Sequence, residues 1–90
     1  MISEKDVVAL AARIQPLMDS IDLDADLSDE VLSSIAFAEL SGTSMSDEGK
    51  KSLELEERGL ITGDQYQSLC FYRIAGAEVY RQNVSQEGND

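Results

Sequence analysis

Histidine is absent from this chain, cysteine and proline occur once each, and no basic residue lies between Arg13 and Lys50. Each absence removes a class of chemistry. Without histidine there is no Ser-His or Cys-His nucleophilic pair and no zinc-ligand spacing, and no phosphate-cradling glycine loop is present either. The single Cys70 cannot close an intramolecular disulfide, and its place in an apolar helical stretch reads as a buried free thiol rather than a reactive one. No apolar run approaches the roughly 20 residues of a membrane span. Glu4 and Asp6 stand where a secretory leader carries its basic residues. The expectations are a cytoplasmic protein with no cofactor, no metal and no enzymatic activity. Paired carboxylates are the acid-base chemistry that remains, and 90 residues leave little room for a water-excluding pocket beside a core.

What the chain does have is acid. Eighteen acidic residues against 7 basic ones give a formal net charge of -11, and Asp19, Asp22, Asp24, Asp26, Asp29, Glu30, Glu39, Asp47 and Glu48 all fall in the base-free stretch. A surface of this sign repels phosphate, so nucleic acid is not the expected direct ligand. A run of acids is ordinarily a solvated face that keeps a small protein soluble. The functional alternative is a complement to a basic protein surface, which includes the surface of a nucleic-acid-binding protein.

The hydrophobic fraction of 42% is that of a globular chain, and this length accommodates one core and no second domain. Helix punctuation then divides it. Ser3 caps a first helix whose Val7, Leu10, Ala11 and Ile14 share one face, and Pro16 should kink or stop it near Gln15. Asp19 to Asp26 reads as a loop. Ser28 caps a second helix in which Val31, Leu32, Ile35, Ala36, Phe37, Ala38 and Leu40 cover much of the circumference, which predicts a central, buried position; Ser41-Gly42 ends it. Ser46 caps a third helix weakened by Gly49, with Gly59 as its left-handed stop and Leu60 folding back on Leu55. Thr62 and Gln65 form a capping box for a fourth helix, Gly63 to Arg81. There Tyr66, Leu69, Cys70, Ile74, Ala77 and Tyr80 mark one face, and Ala75-Gly76-Ala77 leaves room for another helix backbone. The fold expected is all-α: a single small bundle of four short helices over residues 1–82, with a disordered tail from 83 to 90.

Asp22, Asp24, Asp26, Ser28 and Glu30 have the spacing of the odd positions of a calcium-binding loop. Leu27 stands where the sharp turn needs glycine, and Ser33 where a bidentate glutamate is needed, so specific calcium binding is not expected.

The stretch from Ser33 to Leu69, with Ala38-Glu39-Leu40-Ser41-Gly42, Ser46-Asp47-Glu48 and Arg58-Gly59-Leu60-Ile61-Thr62, resembles the small helical antitoxins of the VbhA type, which inhibit Fic-domain toxins. That family carries a Leu-Glu-Gly turn after a helix, a second helix ending in glycine, and a third opened by threonine or serine. Its inhibitory helix has serine or threonine, then three residues, then glutamate followed by glycine or asparagine. In this chain Phe37 occupies the serine position and Ser41 the glutamate position, while Glu39 faces another direction. The resemblance covers under half of the chain and implies a protein-bound inhibitor that does not use the family's known mechanism.

The functional expectation is a small acidic inhibitor of another protein, antitoxin-like or of the phage anti-defence, anti-CRISPR-like kind, binding through Asp22, Asp24, Asp26, Asp29, Glu30, Asp47 and Glu48. The alternative is a structural or assembly protein, a chaperone or oligomer subunit that self-associates through apolar surface around Tyr72 and Val79.

Overall fold

A computed structural model describes residues 1–88. They form five α-helices and no strand: α1 (Glu4–Asp19), α2 (Asp29–Leu40), α3 (Asp47–Glu57), α4 (Gly63–Ala75) and α5 (Ala77–Gly88). None of these helices is long and apolar enough to cross a membrane. The described chain divides into two compact units, residues 16–61 on one hand and residues 1–15 with 62–88 on the other.

In the 16–61 unit, α2 packs with α3. Both helices start on a serine whose hydroxyl accepts a backbone N–H three residues on, Val31 to Ser28 at 3.4 Å and Gly49 to Ser46 at 3.0 Å. Both stop the same way. Gly42 and Gly59 take φ of 86° and 78°, and behind them the N–H of Thr43 reaches the Ala38 carbonyl while that of Leu60 reaches Leu55, each at 2.9 Å. These paired bonds satisfy carbonyls that the last helical turn leaves free, in a left-handed geometry that a Cβ resists. The buried apolar residues of this unit are Met18, Ile21, Val31, Ile35, Leu55 and Ile61.

In the other unit the N–H of Asp6 caps α1 on the Ser3 hydroxyl at 3.1 Å. The capping box of α4 is complete: Gln65 N–H to Thr62 Oγ1 at 3.1 Å and Thr62 N–H to Gln65 Oε1 at 2.8 Å. Val7, Leu10, Ile14, Leu69 and Tyr80 are buried, and α4 packs with α5. Ile2 is held twice, its N–H donating to Ser68 Oγ at 3.1 Å and its carbonyl accepting from the Tyr80 hydroxyl.

At several points the structure departs from, or decides between, what the sequence predicts. The stretch from Gly63 to Arg81 is two helices, because Gly76 takes φ 90° and ψ 165°, a region open essentially to glycine alone. In one continuous helix Tyr72 and Tyr80 would be separated by about 12 Å along the axis. After the break their rings meet edge to face with centroids 5.3 Å apart, and Phe71 lies 5.8 Å from Tyr80. A Cβ on Gly76 would meet nothing within 4 Å, so glycine is required there by its backbone angle and not by a neighbouring helix. The fold is therefore five helices rather than four, and α5 carries helix past Asn83, through Gly88, where a disordered tail was expected; residues 89 and 90 lie outside the described residues.

Of the kink or stop expected at Pro16, the stop does not occur: α1 continues to Asp19. Burial of Met18 and Ile21 just beyond it, each contributing on the order of 1.5–3 kcal/mol, offsets the roughly 3 kcal/mol disfavour of an interior proline. The α2 helix is not enclosed: only Val31 and Ile35 are buried, while Leu32, Phe37 and Leu40 are 49%, 72% and 88% exposed. On α4, helical spacing puts Ile74 on the face of buried Leu69, yet it is 87% exposed, since the chain turns away at Gly76 just after it; Cys70 on the same face is half-buried.

Candidate functional site

The acidic residues singled out in the sequence all belong to the 16–61 unit, and all are exposed. That unit holds twelve acidic residues against Lys50, Lys51 and Arg58, a formal net charge of -9, so most of the chain's -11 sits in half of its length. Asp22, Asp24 and Asp26 lie in the turn between α1 and α2, Asp29 and Glu30 in the first turn of α2, and Asp47 and Glu48 in the first turn of α3. The last four suit the positive ends of their helices.

The Asp22–Asp26 turn is built by its own side chains. Asp22 Oδ1 accepts the Asp24 N–H at 2.9 Å, and Asp26 Oδ2 accepts the Asp22 N–H at 2.8 Å. The N–H groups of Ala25 and Asp26 both reach the Asp22 carbonyl, at 3.1 and 2.7 Å. Two of the three aspartates thus shape the turn as well as charging it, a local use of short acidic side chains that their residue type permits. Among the described residues no group of three or more acids and cysteine converges in a way that could hold a metal ion.

One residue that organises this region escaped the sequence reading. Glu54 of α3 is only 3% exposed, yet its carboxylate is fully engaged: Oε1 accepts the Ser28 N–H at 2.7 Å and Oε2 accepts Arg58 Nε at 2.7 Å. Arg58 extends the link, its Nη2 donating to the Asp26 carbonyl at 3.0 Å. The chain between the acidic turn and the cap of α2 is thereby fastened to α3. Burial is the largest influence on the Glu54 carboxyl and pushes its pKa up, but the hydrogen bonds from Ser28 and Arg58, with the charge of Arg58, together outweigh it and the net direction is down. The Glu54–Arg58 spacing of four residues along a helix was the available sequence signal.

Beside the acids lies the uncovered side of α2. Leu32, Ala36 and Leu40 recur at four-residue intervals on one row, with Phe37 three residues before Leu40. The apolar surface expected around Tyr72 and Val79 is a different matter. Tyr72 is half-buried against Tyr80, and Val79 is 42% exposed.

The other unit offers one open depression of about 280 Å³ lined by Ile2, Asp6, Ala9, Leu10, Arg13 and Gln65. Its volume falls just short of the roughly 300–1,000 Å³ typical of small-molecule sites, and it brings no nucleophile beside a base. No family model, curated protein or solved structure matches the chain.

Proposed function

We propose that this protein is a small non-enzymatic inhibitor that binds a basic surface of another protein through its 16–61 unit, in the manner of an antitoxin or a phage anti-defence protein, and that it acts in the cytoplasm. The observation that carries this reading is the concentration of charge: a net -9 in one compact unit, with Asp22, Asp24, Asp26, Asp29, Glu30, Asp47 and Glu48 all at its surface. Like charges crowded on a small surface repel one another and add little to stability. Facing a basic surface, the same charges speed encounter and restrict the choice of partner. The punctuation shared with the VbhA-type antitoxins, Gly42, Ser46, Gly59 and Thr62, supports a comparable helical frame. With Phe37 and Ser41 at the two inhibitory positions, inhibition would proceed by occupying a surface.

The test is to recover the partner from the native host and measure association with the parent and with Asp22→Asn/Asp24→Asn/Asp26→Asn. Asparagine keeps the carbonyl oxygen that the turn needs as acceptor, so the helical signal should persist. The variant should associate more slowly at low salt and converge on the parent as salt is raised. An unchanged rate at low ionic strength would make the turn a solvated surface only. A second reading, a self-assembling subunit, draws on the exposure of Ile74 and Val79; it requires concentration-dependent association that resists salt.

A further inference from the structure

We infer that the uncovered row of α2, Leu32, Ala36, Phe37 and Leu40, is a docking ridge for a basic amphipathic helix of a partner protein. The inference rests on the protein-binding reading above and supplies the partner's chemistry. A helix with apolar residues around its whole circumference is ordinarily enclosed, but α2 buries only Val31 and Ile35 and leaves Leu32, Phe37 and Leu40 at 49%, 72% and 88% exposure. Apolar residues grouped in this way mark interaction sites, whereas the same residues scattered singly would not.

The borders of the row select the occupant. At 100° per residue, Glu39 falls along one edge of the row and Glu30 along the other, with Asp29 at its N-terminal end; all three are exposed. The basic residues of the unit, Lys50, Lys51 and Arg58, lie on α3 and its cap. A second copy docked on this ridge about a twofold axis would set the same acidic borders against each other, without a base on α2 to relieve them. The complementary element has apolar side chains at three- and four-residue spacing, flanked by lysine or arginine. Ala36, small and central in the row, lets such a helix approach closely while Phe37 and Leu40 supply the anchors.

The probe is a synthetic Leu/Lys peptide that folds as an amphipathic helix, compared with a scrambled peptide of identical composition. Binding is followed by calorimetry and by amide shifts. The parent protein should prefer the amphipathic peptide by about tenfold, with the shifts centred on α2. Phe37→Ala/Leu40→Ala, which exchanges exposed residues for the best helix former, should keep the parent's melting temperature and its affinity for the scrambled peptide while losing the preference. Asp22→Asn/Asp24→Asn/Asp26→Asn should weaken both peptides alike. If only that last expectation fails, the acidic turn does not steer binding and the ridge still stands. Equal binding of the two peptides by the parent, or a preference that survives Phe37→Ala/Leu40→Ala, would overturn the ridge. So would a dimer in sedimentation that this variant dissolves, because a second copy would then be the occupant.

Discussion

Replacing Gly76 by alanine separates two accounts of the C-terminal third by the sign of the effect. If residues 63 to 81 were one helix, Gly76 would be an interior glycine and alanine would stabilise it by about 1 kcal/mol. In the structure Gly76 has φ 90° and ψ 165°, where an L-residue is strained by roughly 1–3 kcal/mol. No steric clash confuses the result, since an added Cβ has open space around it. The two accounts therefore differ by about 2–4 kcal/mol, and for a domain of this size each kcal/mol moves the melting temperature by about 4–8 °C. The break also lets fully buried Tyr80 reach Phe71, Tyr72 and the Ile2 carbonyl, so a loss of tyrosine near-ultraviolet dichroism should accompany the loss of stability. The assay is thermal melting of Gly76→Ala by far- and near-ultraviolet circular dichroism. A variant that melts at or above the parent temperature, with its aromatic signal intact, would refute the break and restore the single helix.

Gly59→Val should cost at least about 1–3 kcal/mol, because φ of 78° is strained for any side chain and most for a β-branched one. Gly49→Ala should fall short of the usual helical gain of about 1 kcal/mol: Gly49 lies in the first turn of α3, where a Cβ would stand 3.2 Å from the capping Ser46 Oγ. Chemical denaturation of the two variants should therefore rank Gly59→Val far below Gly49→Ala, and equal losses would contradict the helix boundaries. Glu54 predicts an acid-sensitive fold. Its folded pKa is lowered from 4.5, so its contribution is complete above the ordinary carboxylate range and disappears as the pH falls through the lowered value. Glu54→Gln should cost about 1–3 kcal/mol at neutral pH and flatten the stability profile below about pH 4.5; a profile as steep as the parent's would assign the acid sensitivity to other groups, such as Glu4 beside Arg81.

The helix boundaries that could be read from the sequence are those set by neighbouring residues. Ser28, Ser46 and Thr62 cap because a short oxygen-bearing side chain reaches an N–H three residues ahead, and Gly42 and Gly59 stop helices through their own backbone angles. The same local reasoning failed where distant contacts decide. Nothing beside Gly76 distinguishes a helix break from a helix-packing glycine; the distinction lies in what Tyr80 gains when the chain turns. Pro16 left a kink and a stop both open, because the burial of Met18 and Ile21 that favours continuation cannot be read from proline chemistry. The apolar circumference of α2 implied enclosure, but apolar composition alone does not say which of its sides the rest of the chain covers. The acidic surface was legible by residue type, whereas the role of Asp22 and Asp26 in shaping their own turn, and of Glu54 in anchoring it, depends on geometry.

Hydrogen–deuterium exchange of the protein alone and in complex with the partner recovered from its host decides whether the acidic 16–61 unit, with α2 at its centre, is the surface that binds. Amides report the covered surface without altering a residue. New protection is expected in peptides spanning the Asp22–Asp26 turn and α2, with α4 and α5 unchanged. Protection confined to α4 and α5, around Ile74 and Val79, with the 16–61 unit exchanging as in the free protein, would contradict it.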